Sequence, residues 1–154
     1  MIHHITFRVF SHATEDEDKV QDALIFIASA NHAIDVKRIE IEKIENSGYY
    51  GEPIRIISAH IKRDKDCTTI LKFMRSTFNE DEISYITSEF DERIDDGCTL
   101  YLRFDKQAAF EGILKICESS AAIACRIKVK VYPAKKELAV SSMRGFFSER
   151  QDIL

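Results

Sequence analysis

The feature that most constrains the fold is a strict alternation of residue types over residues 122–132. Apolar side chains occupy every second position there, and basic side chains stand between them: Ile123, Cys125, Ile127, Val129 and Val131 against Arg126, Lys128 and Lys130. Because successive side chains of a β-strand point to opposite faces of a sheet, this pattern predicts a strand with one apolar and one basic face. Residues 2–10, 36–44, 54–62 and 98–105 alternate in the same way. The sequence therefore predicts a sheet of about five strands.

Helical spacing separates the strands. Thr14 and Glu17 have the spacing of a capping box ahead of a helix that reaches about residue 31, and residues 64–78 and 79–90 place apolar side chains on one helical face. Asp105 is placed to cap a helix that continues to Cys117, and a short terminal helix is expected from Glu137. These 154 residues therefore predict a single α+β domain over 1–154. We expect a mixed or antiparallel sheet with helices on one face and a frayed tail after about 148.

Charge is unevenly distributed along the chain. The formal net charge is −4, yet residues 1–96 hold 12 Lys and Arg against 20 Asp and Glu, whereas residues 97–154 hold 10 against 6. The basic excess coincides with the last two predicted strands. If the sheet packs its apolar side against the helices, the basic side chains of these strands share the open face with Arg8. Such a surface suits RNA phosphates, and the residues expected there are Arg8, Tyr101, Arg103, Arg126, Lys128 and Lys130.

A loop over residues 46–53 carries a further candidate contact. It contains two glycines, a proline and the adjacent Tyr49 and Tyr50, whose rings are suited to stacking on an exposed base. Outward-facing Lys and Arg also occur on strands simply for solubility and to block edge pairing. The alternation alone therefore favours a structural surface over an RNA-binding one.

Patterns that would indicate catalysis are weak. The acidic residues around Asp95 and Asp105 offer oxygen ligands for Mg²⁺, but Asp95 fits a turn and Asp105 a helix cap. The five histidines lack the spacing of a zinc site, and the sequence contains neither a Gly-x-Ser-x-Gly elbow nor a phosphate-binding glycine loop. We therefore predict no catalytic residue, no metal and no cofactor.

Several blocks of the sequence together resemble one archaeal family, the predicted exosome-associated RNA-binding proteins. The matching blocks are His12-Ala13-Thr14-Glu15-Asp16 with Lys19-Val20, Gly48-Tyr49-Tyr50-Gly51-Glu52-Pro53-Ile54, Arg93-Ile94-Asp95-Asp96-Gly97, and Leu100-Tyr101-Leu102-Arg103-Phe104-Asp105-Lys106-Gln107-Ala108-Ala109. The last block is the most specific. The resemblance implies RNA binding, a link to the exosome, and a fold similar to a double-stranded-RNA-binding domain or a ribosomal 5S-binding protein.

The leading hypothesis is a non-catalytic RNA-binding module in which Lys106 and Gln107 also present their side chains at the start of the helix that follows Asp105. Two alternatives stay open. One is a protein–protein adaptor or homodimer for which RNA is irrelevant, and the other is a metal-dependent phosphodiesterase that uses Asp95 and Asp105. No apolar run approaches the roughly 20 residues that span a bilayer, and the N-terminus lacks a basic region followed by an apolar stretch. We expect a cytoplasmic protein without a membrane partner.

Overall fold

An antiparallel sheet with the order β2-β3-β1-β5-β4 organises the molecule. The computed structural model describes residues 1–48 and 50–149. In these residues the strands are β1 (Ile2–His12), β2 (Glu40–Ser47), β3 (Pro53–Ile61), β4 (Thr99–Asp105) and β5 (Ala122–Val129). The helices are α1 (Glu17–Ala28), α2 (Asp64–Thr77), α3 (Glu80–Ser88), α4 (Phe90–Arg93), α5 (Lys106–Phe110) and α6 (Lys136–Ser148), with a 3₁₀ turn at Val36–Arg38.

One face of the sheet forms the hydrophobic core with the helices. Its side chains on the central strands, among them Ile5, Phe7, Ile57 and Ile127, are fully buried and belong to one cluster with the apolar faces of α1, α2 and α6. The alternate residues of the same strands point away from that cluster, and many of them are exposed. The prediction of a single α+β domain with helices on one side of an antiparallel sheet is confirmed. The expected fraying after 148 largely concerns residues 150–154, which lie outside the described part of the chain.

The start of α1 differs from the prediction. Asp16 is the N-cap residue, and its side chain accepts hydrogen bonds from the backbone N–H groups of Asp18 and Lys19. The capping box predicted between Thr14 and Glu17 is therefore wrong, although the acidic first turn remains next to the positive end of the helix dipole.

The largest local error concerns the helix predicted from Asp105 to Cys117. Asp105 does cap α5, accepting a hydrogen bond from the Ala108 N–H at 2.9 Å, but the helix ends at Phe110 and Gly112 adopts a φ of +72°. The chain then runs beside β4, where the Asp105 N–H donates to the Lys115 carbonyl at 2.7 Å and the Cys117 N–H donates to that of Arg103 at 3.0 Å. This segment covers the outer edge of β4 and leaves β2 as the other edge of the sheet.

Candidate nucleic-acid interface

Strand register brings the predicted basic residues together on the open face. Directly opposed residues of antiparallel strands point to the same side of a sheet. Arg126 lies opposite Thr6 and Tyr101, Ala124 lies opposite Arg8 and Arg103, and Lys128 lies opposite His4 and Thr99. We call the following residues the basic strip: Arg8, Tyr101, Arg103, Arg126 and Lys128. Arg8, Tyr101, Arg103 and Arg126 are exposed and Lys128 is half-buried.

The charges of the basic strip are not neutralised by partners. Within residues 1–48 and 50–149, none of its four cationic side chains forms an ion pair with a carboxylate. Lys128 donates from Nζ to the Gly97 carbonyl, and Arg103 donates from Nη1 to the Ser119 carbonyl at 3.1 Å. Because both acceptors are neutral carbonyl oxygens, they orient Lys128 and Arg103 without compensating the positive charges of these side chains.

Tyr101 positions the middle of the strip. Its hydroxyl donates to Asp95 Oδ2 at 2.8 Å, and the Arg126 guanidinium lies 5.6 Å from the centre of its ring. The hydrogen bond to Asp95 raises the pKa of the Tyr101 phenol. The backbone N–H of Thr99, followed by other donors, lowers the pKa of the Asp95 carboxyl. Asp95 is therefore ionised and engaged by the turn that precedes β4.

His4 lies next to Lys128 at one end of the strip. Partial burial is the first cause that lowers the pKa of His4 below its ordinary value of 6.5, and the charges of His3, Lys128, His60 and Lys62 lower it further. The imidazole is consequently neutral at pH 7. An anion bound beside it would favour its protonated form.

The β2–β3 half of the open face has a different electrostatic character. Lys62 Nζ lies 3.2 Å from Glu40, and His60 Nε2 lies 3.9 Å from Glu42. Lys62 pairs with Glu40, whereas His60 carries a charge beside Glu42 only when it is protonated, so acidic groups offset the positive charge of this half and the basic strip is confined to β1, β5 and β4.

Two of the predicted contacts do not belong to the basic strip. The prediction that Lys106 presents its side chain to a ligand is wrong: the residue is 8% exposed, and its ammonium donates to the Phe10 carbonyl at 2.7 Å and to Glu15 at 2.8 Å. Lys130 is exposed but follows the end of β5, where its backbone N–H donates to the Met1 carbonyl. Neither residue shares the register of the strip.

The remaining predicted contacts lie at other places in the fold. Tyr50 is 88% exposed in the β2–β3 loop, at the opposite corner of the sheet from Lys128, and its N–H donates to Glu52. Tyr49 lies outside the described residues. Gln107 is exposed on α5, near the end of β1.

Sequence reasoning missed Phe10 as a surface residue. Its side chain is 43% exposed on the open face, opposite Ile56 of β3. The signal was present, because Phe10 falls in phase with the outward positions of Thr6 and Arg8.

The acidic residues proposed for a metal do not meet. Asp95 precedes one end of β4 and Asp105 is at the other, where it caps α5. The prediction that these two carboxylates form one metal site, on which the phosphodiesterase alternative depends, is therefore wrong. The described residues contain no group of three or more His, Cys, Asp or Glu side chains that could hold a metal ion. No helix among them is long and apolar enough to cross a membrane.

The fold and the strip define a class, that of small α+β domains whose open antiparallel sheet carries a localised basic surface. More specifically, the chain belongs to the RNA_binding family, whose model is described as RNA binding and matches residues 4–129. The membership confirms the RNA-binding part of the resemblance given above; the exosome link and the specific fold comparisons stay predictions.

Relatives of the chain come from several archaea. It is 39% identical over 142 residues to the RNA-binding protein PAB1135 of Pyrococcus abyssi, a match covering 92% of this chain and 91% of the relative. It is 31% identical over 146 residues to the uncharacterized protein MJ0213 of Methanocaldococcus jannaschii, covering 93% and 95%. The structure is similar to that of Mth689, a DUF54 protein from Methanothermobacter thermautotrophicus, with a TM-score of 0.79 at 31% identity, covering 96% of this chain and 98% of that one.

Proposed function

We propose that this protein is a non-catalytic RNA-binding module that holds RNA phosphates on the basic strip. The observation that carries the proposal is the collection, on one open face of a chain whose net charge is −4, of four cations that form no ion pair with a carboxylate of the described residues. Membership of the RNA_binding family and the name of the Pyrococcus relative support it.

The spacing of the cations suits a phosphate backbone. Arg126 and Lys128 stand two residues apart on one strand, which separates them by about 6.5–7 Å. Arg8 and Arg103 flank Ala124 from the neighbouring strands, about 10 Å apart, because adjacent strands are about 4.8 Å apart. A phosphate that approaches Ala124 therefore meets a guanidinium on each side, and guanidinium groups bind phosphate oxygens in a bidentate manner.

The test is a salt titration of RNA affinity with the double variant Arg103→Ala/Arg126→Ala. Each lost phosphate contact should flatten the slope of log affinity against log salt by about 0.7 to 0.9, so the double variant should lower it by about 1.5. Lys62→Ala is the control, because it removes one positive charge near the open face from a residue that already pairs with Glu40. Equal affinity and equal slope for the wild type and the double variant would overturn the proposal.

The proposal extends to a role in RNA processing or degradation with exosome subunits as partners. Only the family resemblance supports this extension. Co-purification of exosome subunits from an archaeal host after nuclease treatment would support direct contact, and their loss after nuclease treatment would show that RNA alone connects them.

A protein–protein role is the second candidate, and the free edge of β2 favours it. Among the described residues this strand pairs only with β3, and its Ile44 is 50% exposed on the open face. An exposed edge strand is a template for pairing with another chain. Size measurement with and without RNA distinguishes the candidates: an assembly that survives nuclease and is lost in Ile44→Lys would favour an adaptor or a homodimer.

A further inference from the structure

Phe10 gives the basic strip an aromatic surface at its far end. The ring is on the central strand β1, two residues from Arg8, and it lines a surface cleft together with Ala122 of β5. Both outward residues of that part of β5, Ala122 and Ala124, have only a methyl side chain. The ring of Phe10 is therefore not covered from this side.

A cleft of about 480 Å³ opens beside Phe10. Gln107 and Phe110 of α5 line it on one side and the loop around Ser119 on another. The volume is within the range of about 300–1,000 Å³ that is usual for small-molecule sites. Arg103 connects the cleft to the strip, because its guanidinium donates to the Ser119 carbonyl at the rim.

The two carboxylates of the cleft are already engaged inside the protein. Glu15 is paired with Lys106 at 2.8 Å, and Asp105 accepts the hydrogen bond from Ala108 that caps α5. What remains for a ligand is the rings of Phe10 and Phe110, the amide of Gln107, and the polar side chains of His12, Thr14, Ser119 and Ser120. An uncharged, planar group with hydrogen-bonding edges, such as a nucleobase, matches this lining.

The width of the basic strip favours a single RNA strand. Three strands, β1, β5 and β4, span about 10 Å. An RNA duplex presents the phosphates of two strands across a wide minor groove. A second row of phosphates would lie over the β2–β3 half, where Glu40 and Glu42 stand. A single strand avoids these carboxylates.

We propose that the cleft beside Phe10 binds one base of a single-stranded RNA whose backbone lies on the basic strip. The base stacks on the Phe10 ring, and the Gln107 amide hydrogen-bonds to its edge. This inference rests on the proposed RNA-binding function and names the form of RNA that the surface selects.

The test compares a short single-stranded RNA of mixed sequence with the duplex formed from it, by fluorescence anisotropy with the full chain. We expect tighter binding of the single strand. Stacking of a base on an aromatic ring contributes about 1–3 kcal/mol, so Phe10→Ala should weaken single-strand binding at least about fivefold. The salt slope should stay that of the wild type, because Phe10 contacts no phosphate.

Ile44→Ala is the matched control, since Ile44 is also an exposed apolar residue of the open face but lies on β2. Phe10→Leu keeps an apolar side chain and removes only the ring, so it should show the same loss as Phe10→Ala even if the alanine variant is less stable. A photo-crosslink from thiouridine-containing RNA to a peptide that contains Phe10 should accompany binding.

The outcomes separate the inference from the function on which it rests. If Arg103→Ala/Arg126→Ala weakens binding but both Phe10 variants bind like the wild type, RNA binding stands and the base site is refuted. Equal affinity for duplex and single strand would also refute it. If none of these variants affects binding, the proposed function fails together with the inference.

Discussion

The Arg126 guanidinium lies 5.6 Å from the centre of the Tyr101 ring, and the two residues are directly opposed on β5 and β4. The ring is fixed in turn by the hydrogen bond from its hydroxyl to Asp95. A cation held over an aromatic face keeps its charge while it loses conformational freedom. Arg126 is thus oriented for an anion before one arrives.

Replacing the ring should test this orientation. Tyr101→Leu removes the aromatic face, and we expect RNA affinity to fall about two- to fivefold, corresponding to the roughly 0.5–1 kcal/mol of an exposed cation–π contact. Tyr101→Phe retains the ring and should bind close to the wild type. The measurement is an RNA titration at low salt. Equal losses in both variants would mean that the hydroxyl, not the ring, positions Arg126.

Asp95→Asn should reveal what the carboxylate does. Its Oδ1 accepts from the N–H groups of Gly97 and Thr99, and its Oδ2 accepts from the Tyr101 hydroxyl. Removing the negative charge should lower the pKa of Tyr101 toward its ordinary value of 10. An ultraviolet titration of tyrosinate measures this shift, with Tyr101→Phe identifying the signal.

Asp95→Asn should also change RNA affinity. The result distinguishes an electrostatic role of Asp95 from a catalytic one. Asp95 places a negative charge beside Lys128 and Tyr101, so Asp95→Asn should bind RNA slightly more tightly than the wild type. A phosphodiesterase that used Asp95 would instead lose Mg²⁺-dependent cleavage. An RNA cleavage assay across metal concentrations distinguishes the two outcomes.

The sheet and the shared face of Arg126 and Tyr101 were predictable because alternation has a period of two residues and the apolar set specifies which side is buried. The strand order was not, because register and neighbours depend on long-range packing that one sequence does not reveal. Phe10 shows a different gap: alternation places it outward, but single exposed apolar residues are common on protein surfaces, so the sequence alone does not distinguish it from them.

Lys106 shows why side-chain placement is harder to predict than strand phase. It follows the cap Asp105 directly, a position that reads as exposed when only local sequence is considered. Burial follows from the approach of β1 and the start of α1, which supply a carbonyl and a carboxylate from residues 96 and 91 positions away. No local pattern encodes acceptors that distant.

Lys106→Met should destabilise the fold rather than affect RNA contact directly. The variant removes the donor to the Phe10 carbonyl and leaves Glu15 with only the His12 N–H, so we expect the free energy of unfolding to fall by about 2 kcal/mol in a urea titration. Lys43→Met is the control, because Lys43 pairs with Glu17 on the exposed surface and should cost under about 0.5 kcal/mol. Similar losses in both variants would contradict a structural role specific to Lys106.

The contact between Lys106 and Glu15 also predicts that the fold loses stability in acid. Burial alone would raise the pKa of Glu15, but the hydrogen bonds from Lys106 and from the His12 N–H outweigh it and lower the pKa below the ordinary value of 4.5. The stabilising contribution of Glu15 is therefore present above about pH 4.5 and is lost as the pH falls through its lower, folded-state pKa.

RNA affinity should increase as the pH falls below 6.5 because of His4. The groups that face it are His3, Lys128, His60 and Lys62, and they favour its neutral form in the free protein. Bound phosphates favour the protonated form, so binding takes up a proton. His4→Asn should flatten the increase. A series of titrations between pH 7.5 and pH 5.5 tests this, and a pH-independent affinity in the wild type would contradict it.

Gly112 ends α5 and thereby lets the following segment cover the edge of β4. Its φ of +72° lies in the left-handed region that favours glycine, while nothing lies within 4 Å of the position that a Cβ would occupy. Gly112→Ala should therefore lower the free energy of unfolding by about 1 kcal/mol through backbone conformation alone. Gly145→Ala is the matched substitution in the interior of α6, where space is equally free and helical geometry favours alanine, so it should stabilise the protein by about 0.5–1 kcal/mol. If Gly112→Ala lowers the free energy of unfolding in urea titrations and Gly145→Ala raises it, the backbone conformation of Gly112 ends α5. If Gly112→Ala leaves the free energy of unfolding unchanged or raises it, contacts of residues 113–117 end the helix instead.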